Sequence, residues 1–371
     1  MDEALEIFLA APPGLEPEVA AEARALGFDV AGEVPGGVTL HGGWPEVWRA
    51  NLELRGAGRV LVRVGSFRAM HLAQLDKRAR KFPWGEVLRK DVPVKVEATC
   101  RASKIYHDRA AAQRVSRAIS ESFGAPVSDK AELRLMVRIE DDLCTFSLDS
   151  SGLPLHKRGH KQAVVKAPLR ETLAAIFLRQ CGFDGREPVL DPMCGSGTFV
   201  LEAAEMAAGL APGRSRRFAF EQLATFDADK WREMRQSVHV NAMPDAPRFF
   251  GSDRDQGAIR AATANAERAG VSALTRFECL PIGACHAPET EPGLVMINPP
   301  YGERIGNKKM LYGLYGNLGQ VLKERFSGWR VGLVTSEQGL ARATGLPFGP
   351  PGPPIDLGGL RIKLYQCGPL G

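Results

Sequence analysis

The sequence predicts an α/β protein in which two small α+β modules precede an open, mostly parallel sheet with helices on both faces. From about residue 162 onward, short apolar strands alternate with longer helical patterns, which is typical of a parallel α/β sheet. The preceding residues are instead dominated by paired strands. A length of 371 residues, with 44% apolar and 25% charged side chains, is enough for two or three domains with buried cores.

The first fifty residues predict a small α+β unit. EIFLAA is expected as a strand, LEPEVAAEARALGF as a helix that ends at Gly27, and FDVAGEVPGGVTLHG as a hairpin. The N-terminus is acidic where a signal peptide is basic, and the chain contains no uncharged apolar run long enough to cross a membrane. We therefore expect a cytoplasmic protein that has no membrane contact.

Residues 51–155 predict a second α+β module. RVLVRVGSF and DVPVKVEATC are expected as strands, AAAQRVSRAISESFG as an amphipathic helix, and AELRLMVRIEDDLCTFSLDS as a hairpin that turns at Asp141 and Asp142. Residues 51–161 carry 22 basic and 13 acidic side chains, a net charge of +9, whereas residues 1–50 carry a net charge of −7. This excess indicates either a surface for a polyanion or a solvated helix face.

The cysteine and histidine spacings do not predict a metal site. The seven cysteines are scattered without any CxxC pair, so neither a zinc site nor a disulfide framework is indicated. His156 and His160 have helical spacing, but the glutamate of an HExxH motif is missing.

LDPMCGSGTF reads as a strand end, a glycine loop and the start of a helix near Thr198. Gly195 and Gly197 allow the backbone to approach a ligand, the helix N-terminus suits a carboxylate, and Asp191 suits an ammonium group. A nicotinamide fingerprint needs a third glycine at Val200, and no GxxxxGK[ST] motif for a triphosphate occurs. The loop is thus either a site for an amino-acid-like cofactor or a tight turn between strand and helix.

FFGSDRDQ repeats this plan, with Asp253 at the strand end. Such a carboxylate binds ribose hydroxyls in doubly wound folds, although Asp253 or Asp255 is also a suitable helix N-cap. The stretch from about 208 to 247 is rich in Arg, Phe and Trp, and we expect it to be an insertion that faces substrate.

MINPPYGERIG ends a third strand, so Asn298 is expected at the same sheet edge as the two aspartates. The side-chain oxygen of Asn298 and the carbonyl of Pro299 offer two acceptors for the exocyclic amine of a base. Pro300 stiffens the turn, and Tyr301 offers a stacking surface for a base removed from its stack. The alternative is a stiff loop, and the motif suits either guanine or adenine.

These three motifs closely resemble those of S-adenosylmethionine-dependent RNA guanine-N2 methyltransferases that carry a THUMP domain. SKIYHDRAAAQRVSRAI is similar to the THUMP helix region of that family, and LHKRGHKQAVVKAPLRETLAA resembles its entry into the catalytic domain. The resemblance covers most of the chain from about residue 50. It implies a ferredoxin-like unit over 1–50, a THUMP RNA-binding domain over 51–155 and a Rossmann-like class I methyltransferase domain over 156–371.

The resemblance implies methyl transfer from S-adenosylmethionine to guanine N2 in structured RNA, with bacterial large-subunit ribosomal RNA as the first candidate. Transfer RNA, adenine N6 in DNA or RNA, and a non-catalytic RNA-binding assembly factor remain alternatives. The residues implied for the cofactor are Asp191, Pro192, Gly195, Ser196, Gly197, Thr198, Asp253 and Asn298. Those implied for catalysis are Asn298, Pro299, Pro300 and Tyr301, and those for RNA phosphates are Arg101, Lys104, Arg114 and Arg117.

Two positions depart from the family pattern. Pro281 stands where the family commonly has an acidic residue near the cofactor adenine, so no adenine ligand is predicted. RGHK at 158–161 replaces a more usual RGYR, and no role is assigned to His160.

Overall fold

Two seven-stranded sheets organise the part of the chain that the computed structural model describes, residues 4–162, 169–238, 241, 246–301 and 308–371. The chain forms two units, the first of Met1–Ala11, Val19–Leu155 and Arg216–Ser237, the second of Pro12–Glu18, His156–Ser215 and Val238–Gly371. The expected helix start at 166–168 and the GERIG part of the third motif, 302–306, lie outside the described residues.

The sheet of the first unit has the strand order β2-β3-β1-β4-β7-β6-β5. Because β1 pairs antiparallel with both β3 and β4, the strands of the first fifty residues and those of residues 51–155 form one sheet. Domain boundaries at residues 50 and 155 stay predictions. The strands are β1 (Leu5–Ala10), β2 (Asp29–Val34), β3 (Gly37–Gly42), β4 (Arg59–Arg68), β5 (Val94–Arg101), β6 (Leu133–Glu140) and β7 (Leu143–Asp149).

The helices of this part of the chain connect those strands. The predicted hairpin turn between β6 and β7 is confirmed, since Asp141 and Asp142 have φ values of 50° and 63°, as a tight two-residue turn requires. The helix that leads from β5 to β6 begins at Asp108, within the predicted basic segment. The helices are α1 (Glu16–Ala25), α2 (Trp44–Glu53), α3 (Leu72–Ala79) and α4 (Asp108–Ala118).

Part of the segment that we expected to be an insertion, Arg216–Ser237, packs within the first unit. The Phe220 ring stacks on Trp48 at a centroid distance of 6.0 Å and meets the edge of Trp231 at 5.0 Å. All three side chains are buried. Arg216–Ser237 thus interrupts the second unit along the chain, as expected of an insertion, and its large aromatic rings anchor it by burial. That it faces substrate stays a prediction.

The sheet of the second unit has the order β10-β9-β8-β11-β12-β14-β13, parallel from β10 to β12 and antiparallel beyond. The predicted C-terminal hairpin through Gly358 and Gly359 is confirmed. The strands are β8 (Val189–Asp191), β9 (Phe249–Asp253), β10 (Thr275–Cys279), β11 (Leu294–Ile297), β12 (Arg330–Thr335), β13 (Ile355–Leu357) and β14 (Leu360–Cys367). No helix among the described residues combines the length and apolar character needed to cross a membrane.

The remaining helices, apart from α7 (Ala228–Ser237) in the first unit, alternate with the parallel strands of the second unit. They are α5 (Glu171–Gln180), α6 (Thr198–Ala207), α8 (Gln256–Ala269), α9 (Lys308–Arg325) and α10 (Gln338–Ala343). Along the chain the strands run from β8 outward to β10 and then return to the other side of β8 at β11. Ligands of doubly wound sheets bind at such a reversal, beyond the carboxyl ends of the strands.

Candidate active site

Three strand ends bring the predicted polar residues to one edge of the second sheet. Asp191 is the last residue of β8, Asp253 is the last residue of β9, and Asn298 directly follows β11. Since β8 is the parallel neighbour of both β9 and β11, the three residues lie at the carboxyl edge where the strand order reverses. Their placement agrees with the expectation of a shared edge, and their individual roles stay predictions.

The glycine loop between β8 and α6 is tied to the neighbouring strand β9 by its backbone. The N–H of Gly195 donates to Oδ2 of Asp253 at 3.0 Å, and the N–H of Cys194 donates to the carbonyl of Ser252 at 2.9 Å. Gly197, with φ of 86°, is the N-cap of α6 and provides the left-handed turn that starts this helix. The first N–H groups of a helix lack intrahelical partners, so the loop presents donors suited to a carboxylate.

Asp191 is a buried carboxyl group whose pKa is raised to about 8, first by burial and then by the negative charge of Asp253. The N–H of Met193 donates to its Oδ1 at 3.0 Å, which opposes this rise. A buried carboxylate gains most from a cation, because the cation restores the electrostatic stabilisation lost with water. The site therefore fits the ammonium group of an amino-acid-like ligand.

Of the two candidate N-caps, Asp253 and Asp255, only Asp255 caps the helix. The side chain of Asp255 accepts from the N–H of Gly257 at 2.7 Å and caps α8. Asp253 instead accepts the N–H of Gly195 at one carboxylate oxygen and that of Asp255 at the other, each at 3.0 Å. A carboxylate has about four acceptor positions, so those that remain suit two ribose hydroxyls.

In the glycine loop, the backbone of Ser196 is fixed by a hydrogen bond, whereas its hydroxyl group can bond to a ligand. Its carbonyl accepts from the side-chain amide of Asn265 on α8 at 3.1 Å. Its hydroxyl is buried and has no hydrogen-bond partner in the part of the chain that the structure describes. A buried hydroxyl without a partner is costly, which indicates that a bound molecule completes this site.

Sequence reasoning missed the support behind the loop, which comes from the RGHK segment. Arg158 lies 3.0 Å from the Glu202 carboxylate, His160 lies 2.7 Å from that of Glu205, and all four side chains are buried. Lys161 donates to the hydroxyl of Thr198 at 2.7 Å. The signal was present, because two glutamates three positions apart in the mostly apolar TFVLEAAEMA require partners when the helix is buried.

The turn after β11 contains an acceptor that no described residue satisfies. The side-chain oxygen of Asn298 is buried and has no hydrogen-bond partner among the described residues. The Tyr315 hydroxyl holds the turn by donating to the carbonyl of Pro300 at 3.3 Å. Pro299 is buried, and the half-buried Tyr301 packs against the apolar core. The turn thus holds the side-chain oxygen of Asn298 in a position where it can accept a hydrogen bond from a ligand.

The four arginine and lysine residues predicted to contact RNA all belong to the first unit. Arg101 ends β5, Lys104 lies in the loop between β5 and α4, and Arg114 and Arg117 lie on α4. Arg114 is half-buried, and the other three are exposed. Their role stays a prediction. In the described parts of both units, no group of three or more His, Cys, Asp or Glu residues is placed to hold a metal ion.

Two family models match the chain. Residues 158–346 match the RMKL-like methyltransferase domain, and residues 6–61 match the RlmL ferredoxin-like domain. A "Ribosomal RNA large subunit methyltransferase K/L" from Syntrophotalea carbinolica is 37% identical over 93% of this chain and 51% of its own length. The chain thus spans about half the length of the first curated relatives that it matches. "Putative RNA methyltransferase slr0064" from Synechocystis is 31% identical over 95% of this chain and 94% of its own length.

Solved structures with the same architecture include two that bear on the chemistry. A protein named as a predicted N6-adenine-specific DNA methylase from Listeria monocytogenes has a TM-score of 0.87 and 31% identity, over 99% of this chain and 97% of its own. SMU.472, named "a putative methyltransferase complexed with SAH", has a TM-score of 0.85 and 25% identity, over 100% of this chain and 99% of its own.

Proposed function

Because the chain belongs to the RMKL-like methyltransferase family, we propose that it transfers a methyl group from S-adenosylmethionine to the N2 amine of a guanine in structured RNA. Large-subunit ribosomal RNA is the proposed substrate, which makes the cytoplasm the proposed place of action. The observation that carries the proposal is the buried, unpartnered side-chain oxygen of Asn298 at the sheet edge shared with Asp191 and Asp253, in the part of the chain that the structure describes.

The proposed roles of the cofactor-binding residues follow from their chemistry. Asp191 pairs with the ammonium group of the cofactor, Pro192 and the loop from Gly195 to Thr198 surround its methionine part, and Asp253 binds its ribose. The Ser196 hydroxyl donates to the same ligand. When bound, S-adenosylmethionine supplies an electrophilic methyl group on a sulfonium.

The proposed roles at the third strand end concern the base. Asn298 and the carbonyl of Pro299 accept the two N–H groups of the amine, which turns its lone pair out of conjugation with the ring. Pro300 fixes these acceptors and Tyr301 contacts the base. A bond forms between nitrogen and methyl carbon as the bond between sulfur and carbon breaks, and the nitrogen then loses a proton to solvent.

Transfer of labelled methyl groups to ribosomal RNA, transfer RNA and plasmid DNA tests this proposal. We expect labelled ribosomal RNA that yields N2-methylguanine on digestion and mass spectrometry. Labelled transfer RNA alone would place the same chemistry on another RNA. Label confined to DNA as N6-methyladenine would overturn the proposal in favour of the activity for which the Listeria protein is named.

The competing function of another class is an RNA-binding assembly factor without catalysis. Calorimetry with S-adenosylhomocysteine separates the two, because such a factor has no need of the cofactor site. Binding that is lost in Asp191→Asn supports the enzyme, and absence of binding in the wild-type chain supports the assembly factor. The basic segment over residues 51–155 is, in either case, the proposed THUMP module that contacts RNA.

A further inference from the structure

Three backbone segments of the first unit meet at one end of its sheet, and they hold the loop between β5 and α4 in place. The N–H of Lys104 donates to the carboxylate of Asp142 at 2.8 Å. The N–H of Ala69, just beyond β4, donates to the carbonyl of the same Asp142 at 2.9 Å. The loop is therefore fixed to the β6–β7 turn, which is fixed in turn to the end of β4.

Further contacts within the loop make its backbone rigid. The hydroxyl of Ser103 donates to the carbonyl of Arg101 at 2.7 Å and accepts the N–H of Asp142 at 3.1 Å. The carboxylate of Asp108 accepts the N–H of Cys100 at 2.7 Å, which closes the loop at its base. Ile105 is buried in the core of the unit. An ordered backbone of this kind adds little entropy cost when a ligand binds.

On this rigid loop the ring of Tyr106 projects into solvent. It is 81% exposed, the largest value for any large hydrophobic side chain among the described residues. Met70 beside the loop is 49% exposed, and the ammonium of Lys104 lies 3.7 Å from its sulfur. A single exposed aromatic is ordinary on a protein surface. An exposed aromatic on a rigid backbone, in a loop whose lysine contacts an exposed thioether, is a more specific arrangement.

Exposed cationic side chains lie on the segments that meet at this end of the sheet. Lys104, Arg68 and Arg109 are exposed, and none of the three has a carboxylate partner within ion-pairing distance in the described part of the unit. Arg68 donates to the carbonyl of Asp141 at 3.0 Å. The carboxylate of Asp142 is occupied by a backbone N–H. These exposed cations are available to the phosphates of a bound RNA.

We propose that Tyr106 is a stacking platform for an unpaired nucleotide of the RNA substrate, with Lys104 and Arg109 at the flanking phosphates. Protein recognition of single-stranded RNA combines aromatic rings, which stack on bases, with cations along the backbone. Bases within a duplex have no free face for such a ring. The inference rests on the proposed function, because it takes RNA as the ligand.

The test compares binding of the full chain to a labelled ten-nucleotide RNA and to the blunt duplex of the same sequence, by fluorescence anisotropy. We expect Tyr106→Ala to weaken single-strand binding about 10-fold, the range of one base stack, and to leave duplex binding unchanged. Tyr106→Phe keeps the ring and should bind as the wild type does. Leu153→Ala removes another exposed side chain of the same unit, 63% exposed, and is the matched control.

Two results would overturn the inference: unchanged single-strand affinity in Tyr106→Ala, or an equal loss for single strand and duplex. A loss in Tyr106→Phe as large as in Tyr106→Ala would assign the contact to the hydroxyl and would also reject stacking. The proposed function fails separately, when the wild-type chain methylates no RNA. RNA binding that depends on Tyr106 without any methyl transfer would support the stacking site and reject the proposed function. Methyl transfer to RNA with no effect of Tyr106→Ala on binding would support the proposed function and reject the stacking site.

Discussion

The ammonium of Lys161 lies 2.7 Å from the hydroxyl of Thr198 and 2.9 Å from the carboxylate of Glu171. Thr198 is the first residue of α6 and ends the glycine loop. Lys161 is only 4% exposed, so this contact is shielded from water. A lysine outside all three motifs thereby fixes the point where the loop becomes a helix, and we regard it as a positioning residue.

We expect Lys161→Met to weaken S-adenosylhomocysteine binding about 10-fold while the chain stays folded. The thioether fills a similar volume but donates no hydrogen bond, so the loop loses one fixed point and Glu171 loses its buried partner. Isothermal titration calorimetry measures the affinity. Lys323→Met, at an exposed position on α9, is the control. Unchanged affinity in Lys161→Met would mean that the backbone contacts of the loop suffice.

We expect Asn298→Ala to reduce the turnover number about 100-fold or more, with cofactor affinity nearly unchanged. The amide oxygen is proposed to act on the amine, and loss of an acceptor that orients the nucleophile falls mainly on the reaction step. Single-turnover transfer of labelled methyl groups measures the rate, and calorimetry measures the affinity. Asn317→Ala on the exposed side of α9 is the control. Equal loss of turnover and of cofactor affinity would contradict the assigned role.

The raised pKa of Asp191, about 8, makes the stability of the ligand-free protein depend on pH. An unfolded aspartate titrates near its ordinary pKa of 3.8, so between about pH 4 and pH 8 the folded chain holds a proton that the unfolded chain has lost. The free energy of unfolding should therefore fall as the pH rises through this window. Above about pH 8 the titration of Asp191 should cause no further change in the free energy of unfolding, because the group is then ionised in both states.

Asp191→Asn removes this titration while keeping the shape of the side chain. We expect it to raise the Tm of the ligand-free protein at pH 8, by about 2–4 °C for each kcal/mol gained in the free energy of unfolding. We also expect it to weaken cofactor binding about 10-fold or more. Differential scanning fluorimetry at pH 6 and pH 8 provides the comparison, with the exposed Asp229→Asn as the control. Identical pH profiles for Asp191→Asn and the wild type would show that this carboxyl group is ionised at neutral pH.

Removing one partner of the buried ion pair between Arg158 and Glu202 should lower the free energy of unfolding strongly. Glu202→Ala leaves the Arg158 guanidinium buried without its 3.0 Å partner, and we expect a loss of about 3–5 kcal/mol in the free energy of unfolding. Urea denaturation measures it. Asp229→Ala breaks an exposed pair with Arg232 and should cost less than about 1 kcal/mol. Similar costs for the two substitutions would show that water reaches the pair at Arg158.

Neutralising Lys104 and Arg114 together should weaken RNA binding and flatten its dependence on salt. Each phosphate contact that is lost reduces the slope of log K against log salt by about 1. Binding measured from low to physiological salt gives the slope, and mass spectrometry should find the same modified base. An unchanged slope would remove both residues from the interface.

The chemical motifs could be placed from the sequence because the signals that position them are local. A short apolar run followed by Asp191, Asp253 or Asn298 marks a strand end, and glycines after the first of these mark a turn into a helix. Parallel strands then place their carboxyl ends at a common edge. The hairpins at Asp141 and at Gly358 were equally readable, since a tight turn requires particular backbone angles of its own residues.

Only the tertiary structure decided which distant surfaces meet. The pairing of β1 with β4, the packing of Phe220 on Trp48 and the contact of Lys161 with Thr198 each join residues far apart in sequence. Such pairings depend on which apolar faces and which buried charges find complementary partners, and no local pattern specifies the partner. The sequence thus determined which strand ends carry the three polar motifs, and long-range packing determined which contacts hold those strand ends and their loops in place.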